Sequence, residues 1–309
     1  MVNNLSKKPF LDYKAQIKYL QKKQLIITDE SSAITALEKT SYYGLINGYK
    51  DIFKNPATNN FYPNTTFNDI YNLYLFDSEL RGIFLKYILI FEKQIKSSIS
   101  YHFTNTYGNG MAFYQNIKNY EYGNNLSDVQ YLFRKMNSKI HGKHPSPQIA
   151  HYMTTYQDVP LWVLTTDLTL GETASMYRYL KGHCKTLVCN DFHHIGRNEL
   201  AKMLVILTKY RNICAHGNRL FNAKTQVSIP DLIAHKKLRI PKIESLYQQG
   251  KSDLFAVVIS LKYLLNPEDF RLFYYELKKI LKKYSPSDNT IQSMGFPPNW
   301  ISILRIKVY

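Results

Sequence analysis

The run Leu200 to Asn222, LAKMLVILTKYRNICAHGNRLFN, decides the fold class. Leu200, Met203, Leu204, Leu207, Tyr210 and Cys214 recur at helical spacing, so they share one face and bury it. The pattern stops at Ala215-His216-Gly217, where glycine suits the left-handed residue that closes a helix. Arg211 falls on the apolar face. A guanidinium stays charged at ordinary pH and is costly to bury alone, so a carboxylate, a phosphate or a water-filled cleft is expected beside it. His216 follows Arg211 by about 140° around an ideal helix, so the two do not share a face. Asn212 does share the face of His216, and at a frayed last turn the imidazole is expected to swing back toward Arg211.

The segment that answers Arg211 lies far upstream. From Phe67 to about Tyr107 the pattern is helical throughout, with Asn68 or Asp69 able to start it. Leu85, Ile88, Leu89, Ile95 and Ile99 line one face, and Glu92 falls in their midst. A carboxylate among aliphatics needs a cationic mate, which predicts that the two helices pack and that Glu92 meets Arg211. The alternative is an ion pair with Lys96, four residues on.

Elsewhere the same periodicity gives short helices. Asp12 can cap a helix to about Lys23, and a second runs from about Glu30 to Thr40, more simply a helical hairpin than a helix-turn-helix. Residues 54–66 are a polar connector, and residues 141–148 an exposed loop. Residues 159–180 read as a helix pair, with Trp162 taken as a packing residue. Asp253 opens an apolar helix to Leu265, and Asn266-Pro267-Glu268-Asp269 is a strong start for a last helix to about Tyr284. Residues 1–11 are expected to form a basic lead, and the Pro-rich tail from Ser285 to lie on the surface.

At 309 residues, 45% apolar and 20% charged, the chain can bury a sizeable core and is not a disordered polymer. A net charge of +17 favours a polyanionic partner, and 26 Tyr with 16 Phe add stacking surfaces for unpaired bases. The N-terminal stretch lacks the apolar run of a secretory signal, and the best membrane candidate, LFAVVISLKYLL, is short and interrupted by Lys262. Three cysteines without framework spacing fit a reducing compartment, so a cytoplasmic location away from the membrane is expected. His183, Cys184, Cys189, His193 and His194 invite a zinc reading, but the cysteines are loosely spaced, and a short helix with both packed as small apolar residues fits better. No Gly-rich phosphate loop, nucleophile elbow or acidic cluster for paired magnesium ions is present, so no metal or cofactor is expected.

Arg followed by Asn, three residues and His is the pattern of HEPN ribonucleases, and KYRNICAHGNRLFN resembles the corresponding segment of the Abi-like (abortive infection) family. Arg178 with His183, and Arg134 with His141, have similar spacing, but neither pair has Asn after Arg or closes a long apolar helix. Further likeness to the family lies in Tyr42, Tyr43, Leu45, Gly48 and Tyr49, in FEKQIKSSISYHF, and in Pro160, Leu161, Trp162, Leu168, Thr169 and Gly171. This chain departs from the family at Lys96, where arginine is usual; lysine cannot make a fork contact. The resemblance implies an all-α, HEPN-like helical bundle. A basic helical region is expected over residues 1–60 and the bundle over 61–309, with insertions at about 108–160 and 223–250.

On residue types alone, a helix-ending histidine beside a salt-bridged arginine reads as well as a catalytic pair; the resemblance favours catalysis. It implies a metal-independent endoribonuclease, acting in phage defence or as a toxin. His216 would be the general acid/base, Arg211 the clamp on the scissile phosphate, Asn212 its orienter, and Glu92 the residue holding Arg211. RNA permits such chemistry, because its own 2′-hydroxyl can attack the neighbouring phosphate, whereas DNA lacks that nucleophile. One motif supplies one histidine, so the family's homodimer, with two motifs across a cleft, is implied. Lys209 and Arg219 beside the motif, and Arg134, Lys135 and Lys139 in a separate basic cluster, are candidates for RNA contacts. The partner implied by the resemblance is RNA, as substrate, and the resemblance leaves room for a structured noncoding RNA that restrains the protein. The competing reading is a non-catalytic protein that binds such an RNA through its charge.

Overall fold

The computed structural model describes residues 10–193 and 195–308. The fold is all-α. In chain order the helices are α1 (Tyr13–Lys22), α2 (Glu30–Thr40), α3 (Phe67–Tyr107), α4 (Met111–Tyr114), α5 (Leu126–Ile140), α6 (Pro147–Tyr156), α7 (Leu161–Asp167), α8 (Leu170–Tyr179), α9 (Gly182–Asn190), α10 (Arg197–Ala215), α11 (Ile233–Lys237), α12 (Leu254–Leu264), α13 (Pro267–Tyr284) and α14 (Asp288–Ser293). Strands β1 (Lys242–Ile243) and β2 (Leu246–Tyr247) form one antiparallel hairpin, with Lys242 opposite Tyr247. Of the basic lead read over residues 1–11, positions 1–9 lie outside the described residues, as does His194.

The chain forms two compact units. One takes the chain up to Glu79 together with Ile280–Pro286, and the other Leu80–Lys279 together with the segment from Ser287 onward. The division falls within α3 and α13, and the sequence boundary near residue 60 lies inside the first unit.

In the first unit, local chemistry sets the helix starts. Asp12 accepts from the Ala15 N–H at 2.7 Å and Asp29 from the Ser32 N–H at 3.0 Å, so α1 and α2 begin where their acidic caps stand. The two pack on each other through Ile17, Leu20, Ala33, Ala36 and Leu37. The Tyr/Gly-rich segment becomes a π-helical turn, Tyr43–Asn47, followed by a 3-10 turn, Lys50–Phe53. At the head of α3 the cap is Thr66 rather than Asn68: the Thr66 N–H donates to Asp69 at 2.8 Å and the Asp69 N–H to the Thr66 hydroxyl at 3.2 Å.

The second unit is centred on α12. Every residue from Leu254 to Leu261 is buried, which is the fate of a helix apolar on all sides. α12 packs against α10, and α10 in turn lies along α8. Gly171 lets the start of α8 come close to α10, because a Cβ there would already touch the Thr208 methyl at 3.4 Å. α8 opens on a reciprocal cap in which the Glu172 N–H donates to the Thr169 hydroxyl and the Thr169 N–H to the Glu172 carboxylate.

The tail corrects the sequence reading. Rather than lying on the surface, it inserts Met294, Phe296, Trp300, Ile303, Ile306 and Val308 into the core. Phe296 packs on Phe255 of α12 at 4.9 Å between ring centroids, and Trp300 on Tyr274 of α13 at 5.7 Å. These anchors are spaced irregularly between prolines and polar residues, so no helical or strand period betrays them.

Asp253 joins the tail to α12. Buried to 6% exposure, it accepts from the Ala256 N–H at 3.0 Å and from the Gly250 N–H at 3.0 and 3.1 Å. Gly295 passes so close, at φ +80°, that a Cβ there would fall 2.1 Å from the Asp253 carboxyl carbon. Burial pushes the Asp253 carboxyl up to about 6, against the lowering pull of the two N–H donors. Its folded pKa therefore exceeds the ordinary 3.8, so its contribution to stability is full below about pH 4 and is lost as pH rises through about 6. Asp253→Ala should cost about 1–3 kcal/mol by urea unfolding, since two buried N–H groups lose their acceptor. Asp253→Asn keeps an acceptor and cannot ionise, so its stability relative to the natural protein should improve between pH 4 and pH 7.

Candidate functional site

α10 delivers the motif. Its buried stripe holds Leu200, Met203, Leu204, Leu207, Tyr210 and Cys214, the six residues named by periodicity, with Ile206 beside them. Tyr210 anchors the helix by donating its hydroxyl to the Ala223 carbonyl at 2.6 Å. The helix ends as its glycine predicts: Gly217 has φ +67°, the Asn218 N–H reaches the Ile213 carbonyl at 3.0 Å, and the Gly217 N–H reaches that of Cys214 at 3.2 Å. This double closure is a Schellman turn, and it fixes the backbone of His216 as the cap residue.

Arg211 sits one third exposed on the shoulder of the buried stripe, and its Nε is buried. Facing it from α3 is Glu92, 6% exposed, with Arg211 Nε 3.5 Å from Glu92 Oε2. Lys96, one turn along α3, holds the other carboxylate oxygen at 2.8 Å. Both partners weighed for Glu92 are therefore present, and lysine has the shorter contact. The Arg211 contact is an ion pair by distance but not a hydrogen bond by geometry: Nε and Oε2 are each buried without a hydrogen-bond partner. At that end the pair is held by the attraction of opposite charges alone.

On the outward side of α10, Lys209, Asn212 and His216 follow at spacings of three and four, and all three are exposed. The His216 imidazole has no hydrogen-bond partner among the described residues, while its backbone N–H bonds the Asn212 carbonyl at 3.0 Å. Arg219, just past the turn, is half-buried. A paired arginine and a solvent-open histidine thus stand at the two margins of one helix end.

The second basic cluster is on α5, which packs on α8, and α8 packs on both α5 and α10. Arg134 and Lys135 both lie over the exposed Tyr131 ring, at 5.5 and 5.2 Å from its centre, and Lys139 is 3.7 Å from Glu172. No hydrogen bond or ion pair among the described residues joins these three to Arg211. Of the cysteines and histidines near 183–194, Cys184 and Cys189 are buried free thiols and His183 is exposed. Among the described residues no group of three or more His, Cys, Asp or Glu is placed to hold a metal ion.

Residues 35–222 match the family model described as Abi-like protein. The chain belongs to the Abi-like family. Membership points to abortive infection, a form of phage defence. The matched span covers α3, α8 and α10, and so includes Glu92, Arg211, Asn212 and His216. No curated protein and no solved structure matches the chain. Among the described residues of this Abi-like protein, no helix is long and apolar enough to cross a membrane.

One residue of the neighbourhood was misread from sequence. Trp162 is 46% exposed, not packed. The signal was available: Leu161, Leu164, Thr165 and Leu168 share the inner face of the α7 segment, whereas Trp162 shares its side with the exposed Thr166.

The three-way pairing predicts unequal costs. Glu92→Ala leaves Arg211 and Lys96 facing each other without a carboxylate and should destabilise by on the order of 2–4 kcal/mol. Arg211→Ala leaves Glu92 still bound to Lys96 and should cost about 1 kcal/mol or less. Urea unfolding of the two variants checks the order, and equal losses would contradict it.

Proposed function

We propose that this protein is a metal-independent endoribonuclease of the HEPN type, acting as the effector of abortive infection. The observation that carries the proposal is the guanidinium of Arg211, held by a buried carboxylate that Lys96 already neutralises, on the helix that ends at the unpartnered imidazole of His216. Because Lys96 takes one carboxylate oxygen, Arg211 is not needed to balance Glu92. The part of its side chain beyond the buried Nε is left to meet an outside anion.

In the reaction so proposed, the 2′-oxygen of one ribose attacks the adjacent phosphorus and gives its proton to one imidazole. The bond from phosphorus to the 5′-oxygen breaks, and that oxygen takes a proton from a second imidazole. The products are a 2′,3′-cyclic phosphate and a 5′-hydroxyl. Histidine suits both transfers because its ordinary pKa lies near neutrality. Arg211 offsets the charge that builds on the phosphoryl oxygens, and the Asn212 amide orients the phosphate. Glu92 is a positioning residue, acting through Arg211. Each chain carries one such histidine, so the second imidazole is assigned to His216 of the partner subunit in a twofold dimer.

The test is purified protein, stripped of bound nucleic acid, incubated with end-labelled RNA in EDTA. Cleavage is expected to survive EDTA, to leave cyclic phosphate ends, to spare DNA of the same sequence, and to fall about 10²- to 10⁴-fold in His216→Ala. Arg211→Ala should fall comparably. Both variants should keep the far-ultraviolet dichroism of the parent, because neither side chain is needed for the core. Binding without cleavage by the stripped parent would replace this reading with that of a non-catalytic RNA-binding protein.

A further inference from the structure

Beside the Glu92–Lys96 turn of α3, an open groove of about 570 Å³ runs between α3 and α7. Its walls carry Lys93, Lys96, Ser97 and Ser100 from α3, and Trp162 and Thr166 from α7. Glu92, the residue that meets Arg211, also lines it, so the groove adjoins the proposed phosphate clamp through that side chain. We propose that this groove is a nucleobase-binding subsite for single-stranded RNA, in which Trp162 stacks on the base of a nucleotide next to the scissile phosphate.

Three observations carry the assignment. An indole with nearly half its surface in water, on a helix whose other large side chains are buried, is an unused stacking plane. Base stacking on an exposed aromatic is how sequence-tolerant RNA contacts gain affinity. Lys93 is exposed and makes no ion pair among the described residues, whereas the Lys96 ammonium is taken by Glu92, so Lys93 is the cation on this rim that a phosphate chain would meet. An apolar interface with a second copy would instead be depleted of lysine.

The hydroxyls refine the choice of base. The Ser100 hydroxyl donates to the Ser97 carbonyl at 3.0 Å, and that of Thr166 to the Val163 carbonyl at 2.7 Å. With their protons committed, both oxygens remain as acceptors, and as Ser100 is 3% exposed it is the exposed Thr166 that a base meets first. An acceptor suits the exocyclic amino group of adenine or cytosine, where uracil has a carbonyl and keeps only its ring N3–H as donor, so the subsite favours the first two. Cytosine and uracil have the same ring size, and the comparison between them isolates this readout from stacking strength.

The proposal rests on the RNA reading above but is tested apart from cleavage, with 2′-O-methyl pentanucleotides, which lack the attacking hydroxyl. The chain has two tryptophans, and Trp300 is 9% exposed between Tyr274 and Phe296, so a change in accessible emission reports Trp162. Oligocytidylate should quench that emission and protect it from acrylamide. Trp162→Ala should weaken its binding by roughly 10- to 100-fold, and Trp162→Phe by much less. Lys93→Ala should lower the salt dependence of binding by close to one phosphate contact. Oligocytidylate should bind about 10-fold tighter than oligouridylate.

Unchanged affinity in Trp162→Ala overturns the subsite, and equal affinity for the two pyrimidines overturns the hydroxyl readout. Emission that shifts with protein concentration and not with RNA would assign the groove to contact between copies and likewise overturn the proposal. Absence of cleavage by the parent with pentanucleotide binding that depends on Trp162 overturns the catalytic reading alone, whereas cleavage lost in His216→Ala with pentanucleotide affinity unchanged in Trp162→Ala overturns this one alone.

Discussion

A single buried carboxylate organises the second unit. Glu92 sits among the apolar residues of α3 with one oxygen on Lys96 and the other near Arg211, so two helices distant in sequence share one charge centre. Burying an ion is costly unless its partners recover the lost hydration, and a carboxylate with two cations recovers more than with one. The same arrangement frees the arginine, because the lysine within the helix already meets the structural need. Packing of α10 onto α12 and α8 then holds Arg211 at a fixed height against α3. The chemistry proposed for the end of α10 depends on that height.

Most helices were legible because their signals are local. Asp12, Asp29, Asp253 and the Asn266-Pro267 pair stand where helices begin, and Gly217 stands where α10 ends. The Glu92–Arg211 pairing was legible for a different reason: two charges stranded in apolar stripes have few ways to be satisfied, and each was a candidate partner for the other. What sequence reasoning weighed as alternatives, Lys96 or Arg211, the structure shows as simultaneous. A carboxylate has two oxygens, and pairwise reasoning overlooked the second.

Elsewhere the sequence was opaque. The tail after Ser285 hides its anchors because Phe296, Trp300 and Ile303 reach the core from a chain with little regular period, and burial there follows from tertiary shape alone. Trp162 was assigned inward because tryptophan usually is, although its side of α7 is polar. The basic residues of α5 were read as a cluster apart from the motif, and nothing in the sequence signalled that α8 would pack against both α5 and α10. Charge in a sequence says how much, not where.

The Schellman closure at Gly217 has a consequence for anything that docks there. Peptide dipoles point their negative pole toward the last carbonyls of a helix, and the turn ties those carbonyls down without cancelling the field. A polyanion arriving at the end of α10 therefore meets repulsion from the backbone itself, the reverse of the welcome offered by a helix amino terminus. Attraction has to come wholly from side chains, and a place so unfriendly to phosphate when those cations are removed is one where grip and release can be tuned by very few residues.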